Sequence, residues 1–292
     1  MEIGRVGIWT RLDSQPSAQG REAVAELDAL GYGAVWFPES RGRESFTQAA
    51  VLLAATRRMV VATGITNMWG RDPMAMAAAQ KTLAEAYPDR FLLGIGVSHA
   101  PMVERLRGHR YERPLANMRA YLDAMDAAPF AAVAPKSEPP RVLAALGPKM
   151  LELARDRAIG AHPYFTPVEH TVFARRVLGA GPLLAPEQAV VLETNPDLAR
   201  AIARTHMATY LALPNYTNNL RRLGYGEDDL SNGGSDRLVD ALVAWGGIEA
   251  AAQRVQAHLD AGADHVCVQV LTDDPAALPR QAWRDLAPAL LG

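Results

Sequence analysis

Residues 59–99, MVVATGITNMWGRDPMAMAAAQKTLAEAYPDRFLLGIGVSH, constrain the fold more than any other part of the chain. Residues 59–65 are an apolar, β-branched run, as expected of a strand buried on both faces of a parallel sheet. The loop Thr66-Asn67-Met68-Trp69-Gly70-Arg71 is too elaborate for a plain connection. Asp72 suits a helix cap and Pro73 a first turn, and Pro88-Asp89 ends the alanine-rich helix between. Residues 90–97 read as a second buried strand that closes on Ser98 and His99. Two parallel strands joined by a helix make one right-handed βαβ unit. Both strands end in polar, small or aromatic residues, on the side where parallel α/β proteins bind ligands.

The same alternation runs through the whole chain. Buried strands are predicted at residues 4–10, 34–37, 59–65, 90–97, 141–145, 158–165, 188–193 and 265–271. Helical patterns separate them, among them 17–30, 45–56, 115–128, 148–157, 196–213, 236–245 and 248–261, and 275–290 closes the chain. Eight strand–helix pairs are the signature of an α/β (β/α)8 TIM barrel, and 292 residues suit one such domain over 1–292. Residues 214–247 are surplus to a minimal barrel. They predict an insertion before the last strand, a helical lid or wall over the barrel mouth. A doubly wound open sheet is the rival fold. It calls for a glycine-rich turn after the first strand, where this chain has Trp-Thr-Arg-Leu, and Gly94-Ile95-Gly96 falls within a strand instead.

A formal charge of -2 gives no reason to expect nucleic acid or an anionic membrane as partner. No apolar run is long enough to span a bilayer, and the chain opens directly on a strand, so a cytoplasmic location is expected. The single cysteine, Cys267, lies in an apolar strand and reads as a buried thiol. No HExxH, P-loop, GxSxG elbow or spaced cysteine set is present, and Glu169-His170 do not share a helix face, so no metal is expected.

The predicted strand ends collect Trp9, Glu39, residues 63–69, 97–99, 145–147 and 164–166. Ionisable groups are few there: Glu39, His99 and His162. Such a mouth suits a flat aromatic cofactor. Each residue also has a plain structural use. Trp9 can plug the barrel, Glu39 can pair with a rim arginine, His162 can be a satisfied barrel histidine, and Met68 and Trp69 can pack beneath a lid. Tyr164, Phe165 and Thr166 precede a helix start, whose free N–H groups suit an anion. The arginines at 105, 107, 110 and 113 read as a solvated face, with an anionic cofactor tail as the alternative.

In their order and spacing, GIWT, VWFPES, ATGITNMWGRDP, RFLLGIGVSH, GAHPYFTPVEH and DAGADHVCVQVL resemble the luciferase-like flavin and deazaflavin oxidoreductases. The actinobacterial branch that uses coenzyme F420 is the most similar. The resemblance spans nearly the whole chain. It implies a cofactor at the C-terminal mouth, backed by a non-proline cis peptide at Gly64-Ile65. Thr66 or Asn67 would reach the ring edge, Gly96, Val97, Ser98 and His99 would line the linker, and Gly147 with Tyr164, Phe165 and Thr166 would sit near the phosphate. In the sugar-phosphate dehydrogenase branch an acid–histidine pair ends the second strand; here Glu39-Ser40 stand there. His99 replaces that branch's fourth-strand acid, and Pro167 meets its phosphate-loop lysine. Cofactor phosphate is therefore expected to rely on backbone N–H groups. The expected function is F420-dependent hydride transfer with a small-molecule substrate, Glu39 or His99 serving as proton-transfer group and a homodimer as the assembly. The alternatives are an FMN-dependent monooxygenase and a cofactor-free binding or scaffold barrel.

Overall fold

A computed structural model describes residues 1–292. Eleven short strands and twelve helices follow one another. The strands are β1 (Val6–Trp9), β2 (Ala34–Phe37), β3 (Val60–Thr63), β4 (Thr66–Asn67), β5 (Phe91–Gly96), β6 (Arg141–Leu143), β7 (Gly160–Ala161), β8 (Leu183–Leu184), β9 (Glu187–Val191), β10 (Val243–Trp245) and β11 (Val266–Val270). The helices are α1 (Ser17–Leu30), α2 (Ser45–Leu53), α3 (Pro73–Ala86), α4 (Pro114–Asp126), α5 (Pro148–Arg157), α6 (Val168–Leu178), α7 (Pro196–Leu211), α8 (Pro214–Arg222), α9 (Glu227–Leu230), α10 (Asp236–Leu242), α11 (Ile248–Asp260) and α12 (Arg280–Leu291). No helix is long and apolar enough to cross a membrane.

All pairings are parallel, in the order β10-β9-β11-β1-β2-β3-β5-β6-β7-β8. Only Ala185-Pro186 separates β8 from β9. Across that jog the chain stays bonded on both sides: Ala185 N–H donates to Ala161 at 3.0 Å, Glu187 N–H to Pro163 at 2.9 Å, and Cys267 N–H to the Pro186 carbonyl at 2.9 Å. Residues 183–191 therefore act as the seventh strand, between β7 and β11, and the ring closes as the expected (β/α)8 barrel. A proline is tolerated there because the jog does not need its N–H.

Side chains alternate along each strand, as the pleat requires. Val6, Ile8, Val35, Val61, Leu93 and Val266 point outward into a core shared with the helices. Trp9, Trp36, Val60, Ala62, Leu92, Val142, Ala185 and Cys267 fill the barrel itself. Trp36 is fully buried, stacks on His162 with centroids 4.4 Å apart, and donates its Nε1–H to His265 Nε2 at 3.1 Å. The interior is thus a packed core, not a pore. Strands approach closely at Gly94 and Gly160: a Cβ at Gly94 would stand 1.9 Å from the Thr63 carbonyl oxygen, and one at Gly160 1.8 Å from that of Leu183.

Helix starts follow local chemistry. Glu44 caps α2, Asp72 caps α3 and Asn195 caps α7, each accepting backbone N–H bonds. One expectation needs correction. The helix read over 236–245 ends at Leu242, whose carbonyl accepts from Gln188 Nε2 at 3.0 Å. Val243–Trp245 is instead a strand, added to β9 outside the ring. The polar stretch after α7 is largely helical, forming α8, α9 and α10, and the basic segment after His99 includes one π-helical turn, Met102–Leu106.

Candidate active site

The third-strand wall of the mouth is rigid. The Gly64-Ile65 peptide is cis. Trp9, 2% exposed, donates Nε1–H to the Gly64 carbonyl at 3.2 Å and packs against Tyr164 with centroids 5.0 Å apart. In β4, Thr66 pairs with outward-facing Ile95 and Asn67 with Gly96. Thr66 accordingly turns away from the mouth, and its hydroxyl donates to Ser45 Oγ at 2.9 Å. Asn67 faces the mouth; its Oδ1 accepts from Trp69 N–H at 2.9 Å, and Trp69 Nε1–H reaches the Val97 carbonyl at 3.0 Å.

Glu39 lies behind this wall. One oxygen accepts from Asn67 N–H at 2.8 Å and from Arg71 Nη1 at 3.1 Å; the other is held by Arg71 Nη2 and by Ser45. Both oxygens are committed to holding β4 and the loop that leads from it to α3 against the start of α2. Arg71 also joins Glu44 at 2.8 Å and accepts Tyr121 O–H on its carbonyl at 2.8 Å.

The β5 end leads outward through Val97 and Ser98 to His99. Ser98 adopts the left-handed region, φ 58°, and its carbonyl accepts from Tyr111 at 3.1 Å. Such backbone geometry costs a non-glycine residue of order 1 kcal/mol and is retained where surroundings demand it. His99 is half-buried, with Nδ1 3.1 Å from Asn215 Oδ1 of α8. With Nδ1 as donor, Nε2 is left as the acceptor. Burial lowers the imidazole pKa below its usual 6.5, opposed by the Asn215 bond, so the ring is neutral at pH 7.

The late loops are more polar than their sequence suggests. Phe165 is left-handed as well, φ 57°, and its N–H donates to Glu187 Oε2 at 3.1 Å. Glu187 is buried, and burial pushes its carboxyl up to about 8, partly countered by Phe165 N–H. It stands as a neutral acid. A hydrogen-bond chain runs from Arg11 Nη2 to the Tyr210 hydroxyl (2.9 Å), on to Tyr164 (2.9 Å) and to Gln269 Oε1 (2.8 Å). Tyr216 of α8 packs edge-on against Phe165 and Tyr210, 5.4 and 5.3 Å away, and lies 5.5 Å from His99. Thr166 is 2% exposed with its hydroxyl unpartnered. Gly147 caps α5 with no side chain of its own. His162 sits deeper, Nδ1 donating to the Ala185 carbonyl at 2.7 Å, and burial takes its pKa down to about 4.

Trp9, Asn67, Gly96, Val97, His99, Gly147, Tyr164, Phe165 and Thr166 thus cluster at the strand ends, while Thr66 and Glu39 support them from behind. Sequence reasoning passed over Arg71, Glu187, Asn215, Tyr216, Asn219 and Arg222. Only the spacing of Asn215, Asn219 and Arg222, four and then three residues apart on one helix, could have flagged a polar face.

The profile of the luciferase-like monooxygenase family matches residues 4–265. A Mycobacterium tuberculosis protein provisionally named a coenzyme F420-dependent oxidoreductase is 33% identical over 124 residues, 42% of this chain and 35% of that protein. This chain therefore matches about a third of that relative's length. Among solved structures, an F420-dependent secondary alcohol dehydrogenase with an F420–acetone adduct superposes with a TM-score of 0.79 at 14% identity, covering 99% of both chains. The FMN-bound oxygenating constituent of Pseudomonas putida 3,6-diketocamphane monooxygenase gives 0.74 at 16% identity, again over 99% of both. These two likenesses are of fold.

Proposed function

The chain belongs to the luciferase-like monooxygenase family, and on that footing we propose that it is a coenzyme F420-dependent oxidoreductase acting on a small organic substrate. The observation that carries this reading is one mouth holding both a neutral histidine with a free ring nitrogen and unpartnered donors suited to an anion. The Thr166 hydroxyl and the bare N-terminus of α5 at Gly147 fit a cofactor phosphate. The sequence likeness to the F420-linked relative favours the deazaflavin over FMN.

When bound, the deazaflavin supplies hydride transfer at its C5. This chain's residues orient it and exclude water. Trp9 and the Gly64-Ile65 backbone form the wall on one side, with Asn67 at the edge. Tyr216 covers the mouth from α8. His99 Nε2 takes the proton from a substrate hydroxyl, or returns it to the carbonyl in reverse, and Asn215 fixes the ring for either direction. Glu39 acts only through the loop that it anchors.

A binding titration with F420 and with FMN tests the assignment. F420 binding is the expected result; tight FMN binding with no F420 binding replaces it with the monooxygenase reading, which the FMN-bound neighbour favours. Binding of neither cofactor supports the scaffold reading. In the F420-loaded enzyme, His99→Gln keeps cofactor affinity and lowers kcat by about a hundredfold or more. The acid limb of the wild-type kcat/KM profile lies below pH 6.5 and disappears in this variant.

A further inference from the structure

α8 carries two groups that the barrel does not satisfy. Asn219 is 1% exposed; its Oδ1 accepts from Arg222 Nη1 at 3.0 Å, and its Nδ2 has no partner. The guanidinium of Arg222 has no carboxylate within 4.0 Å, whereas neighbouring Arg221 is paired with Glu227 at 2.7 Å. Arg222 Nη2 lies 3.7 Å from where a Cβ on Gly147 would stand, so the charge sits over the N-terminus of α5. That end has no side-chain cap, and Pro148 begins the helix. An unpaired cation thus stands over an uncapped helix N-terminus, and the buried amide that holds it keeps one donor unused, a combination suited to an anion.

Resting on the reading above, we propose that Asn219 and Arg222 bind the phosphate of the cofactor, so that the insertion supplies the positive charge where Pro167 offers none. Arg222 is at the surface, which leaves a route for anything attached beyond the phosphate. A single guanidinium matches the one negative charge of a phosphodiester, as in F420, more closely than the dianionic monoester of FMN.

The test measures dissociation constants of F420 and FMN for the apo-protein, its Arg222→Gln, Arg222→Lys and Asn219→Asp variants, and Arg221→Gln as control. Arg222→Gln is expected to weaken cofactor binding by about tenfold or more and to flatten its salt dependence. Arg222→Lys restores part of the affinity. Asn219→Asp, which places a carboxylate beside Arg222, weakens binding further; Arg221→Gln changes nothing. Inorganic phosphate, followed by thermal unfolding, provides a readout independent of either cofactor. If it raises the melting temperature of the wild type but not of Arg222→Gln while neither cofactor binds, the anion site stands and the oxidoreductase reading falls. If Arg222→Gln keeps both the cofactor affinity and the phosphate protection of the wild type, the proposal is overturned.

Discussion

Glu39, with its side chain 6% exposed and both oxygens engaged, is tied to Arg71 as a part of the wall. Removing one member of a buried ion pair leaves an uncompensated charge, at about 3–5 kcal/mol. Arg71→Met is therefore expected to lower stability by that order in urea titrations, and Glu39→Gln/Arg71→Met to recover a large part. Equal losses in the single and double variants would show that the pair contributes nothing specific. Which residues stand at strand ends was legible from sequence, as was the kind of partner open to Glu39, a rim arginine; which residues meet was not. Glu39 meets Arg71 through neighbouring strands, and His99 meets Asn215 across 116 positions. Glu187 opens a strand like any polar boundary residue, and only burial makes it a neutral acid. Asn219 and Arg222 look solvated until α8 is laid on the barrel.

The eight principal strands could be read because residues buried on both faces form short apolar runs. β10 could not, because Val243-Ala244-Trp245 continue the apolar spacing of α10 and only pairing with β9 decides their state. α8 was hidden by its polarity; it packs through Tyr216 and Leu220. This small contact makes α8 a unit that can open by itself. Tyr216→Ala deletes a ring that is 8% exposed and touches Phe165, Tyr210 and His99. Truncating a buried aromatic costs about 3–5 kcal/mol. Amide exchange in 214–222 is expected to accelerate strongly while β1, β2 and β11 keep their protection. Unchanged exchange in that helix, or acceleration spread over the barrel strands, would contradict a locally docked α8.

Across the whole molecule, buried histidines set the acid limit. Burial lowers His162, His170 and His265 to about 4, and His206 and His258 to about 3. His258 is held between the Thr171 hydroxyl and Gln188, each at 2.8 Å. The unfolded chain takes up these protons near pH 6.5 and the folded one only near 3–4, so stability is present above 6.5 and lost as pH falls towards 4. Each group contributes up to about 1.4 kcal/mol per pH unit. Glu187 has the opposite sign: raised to about 8, it favours the fold at low pH and costs stability between 4.5 and 8. Denaturant titrations from pH 4 to 9 should show a steep rise to about 6.5, then a shallow decline that Glu187→Gln removes. A decline unchanged in that variant would assign it to another group. Ring closure has a different cost, incurred during synthesis. Val6 pairs with Val266, so β1 waits for nearly the whole chain before its second neighbour exists. Until then an open curved sheet presents an unpaired apolar edge, and the nascent chain is at its most prone to aggregate just before the last strand leaves the ribosome.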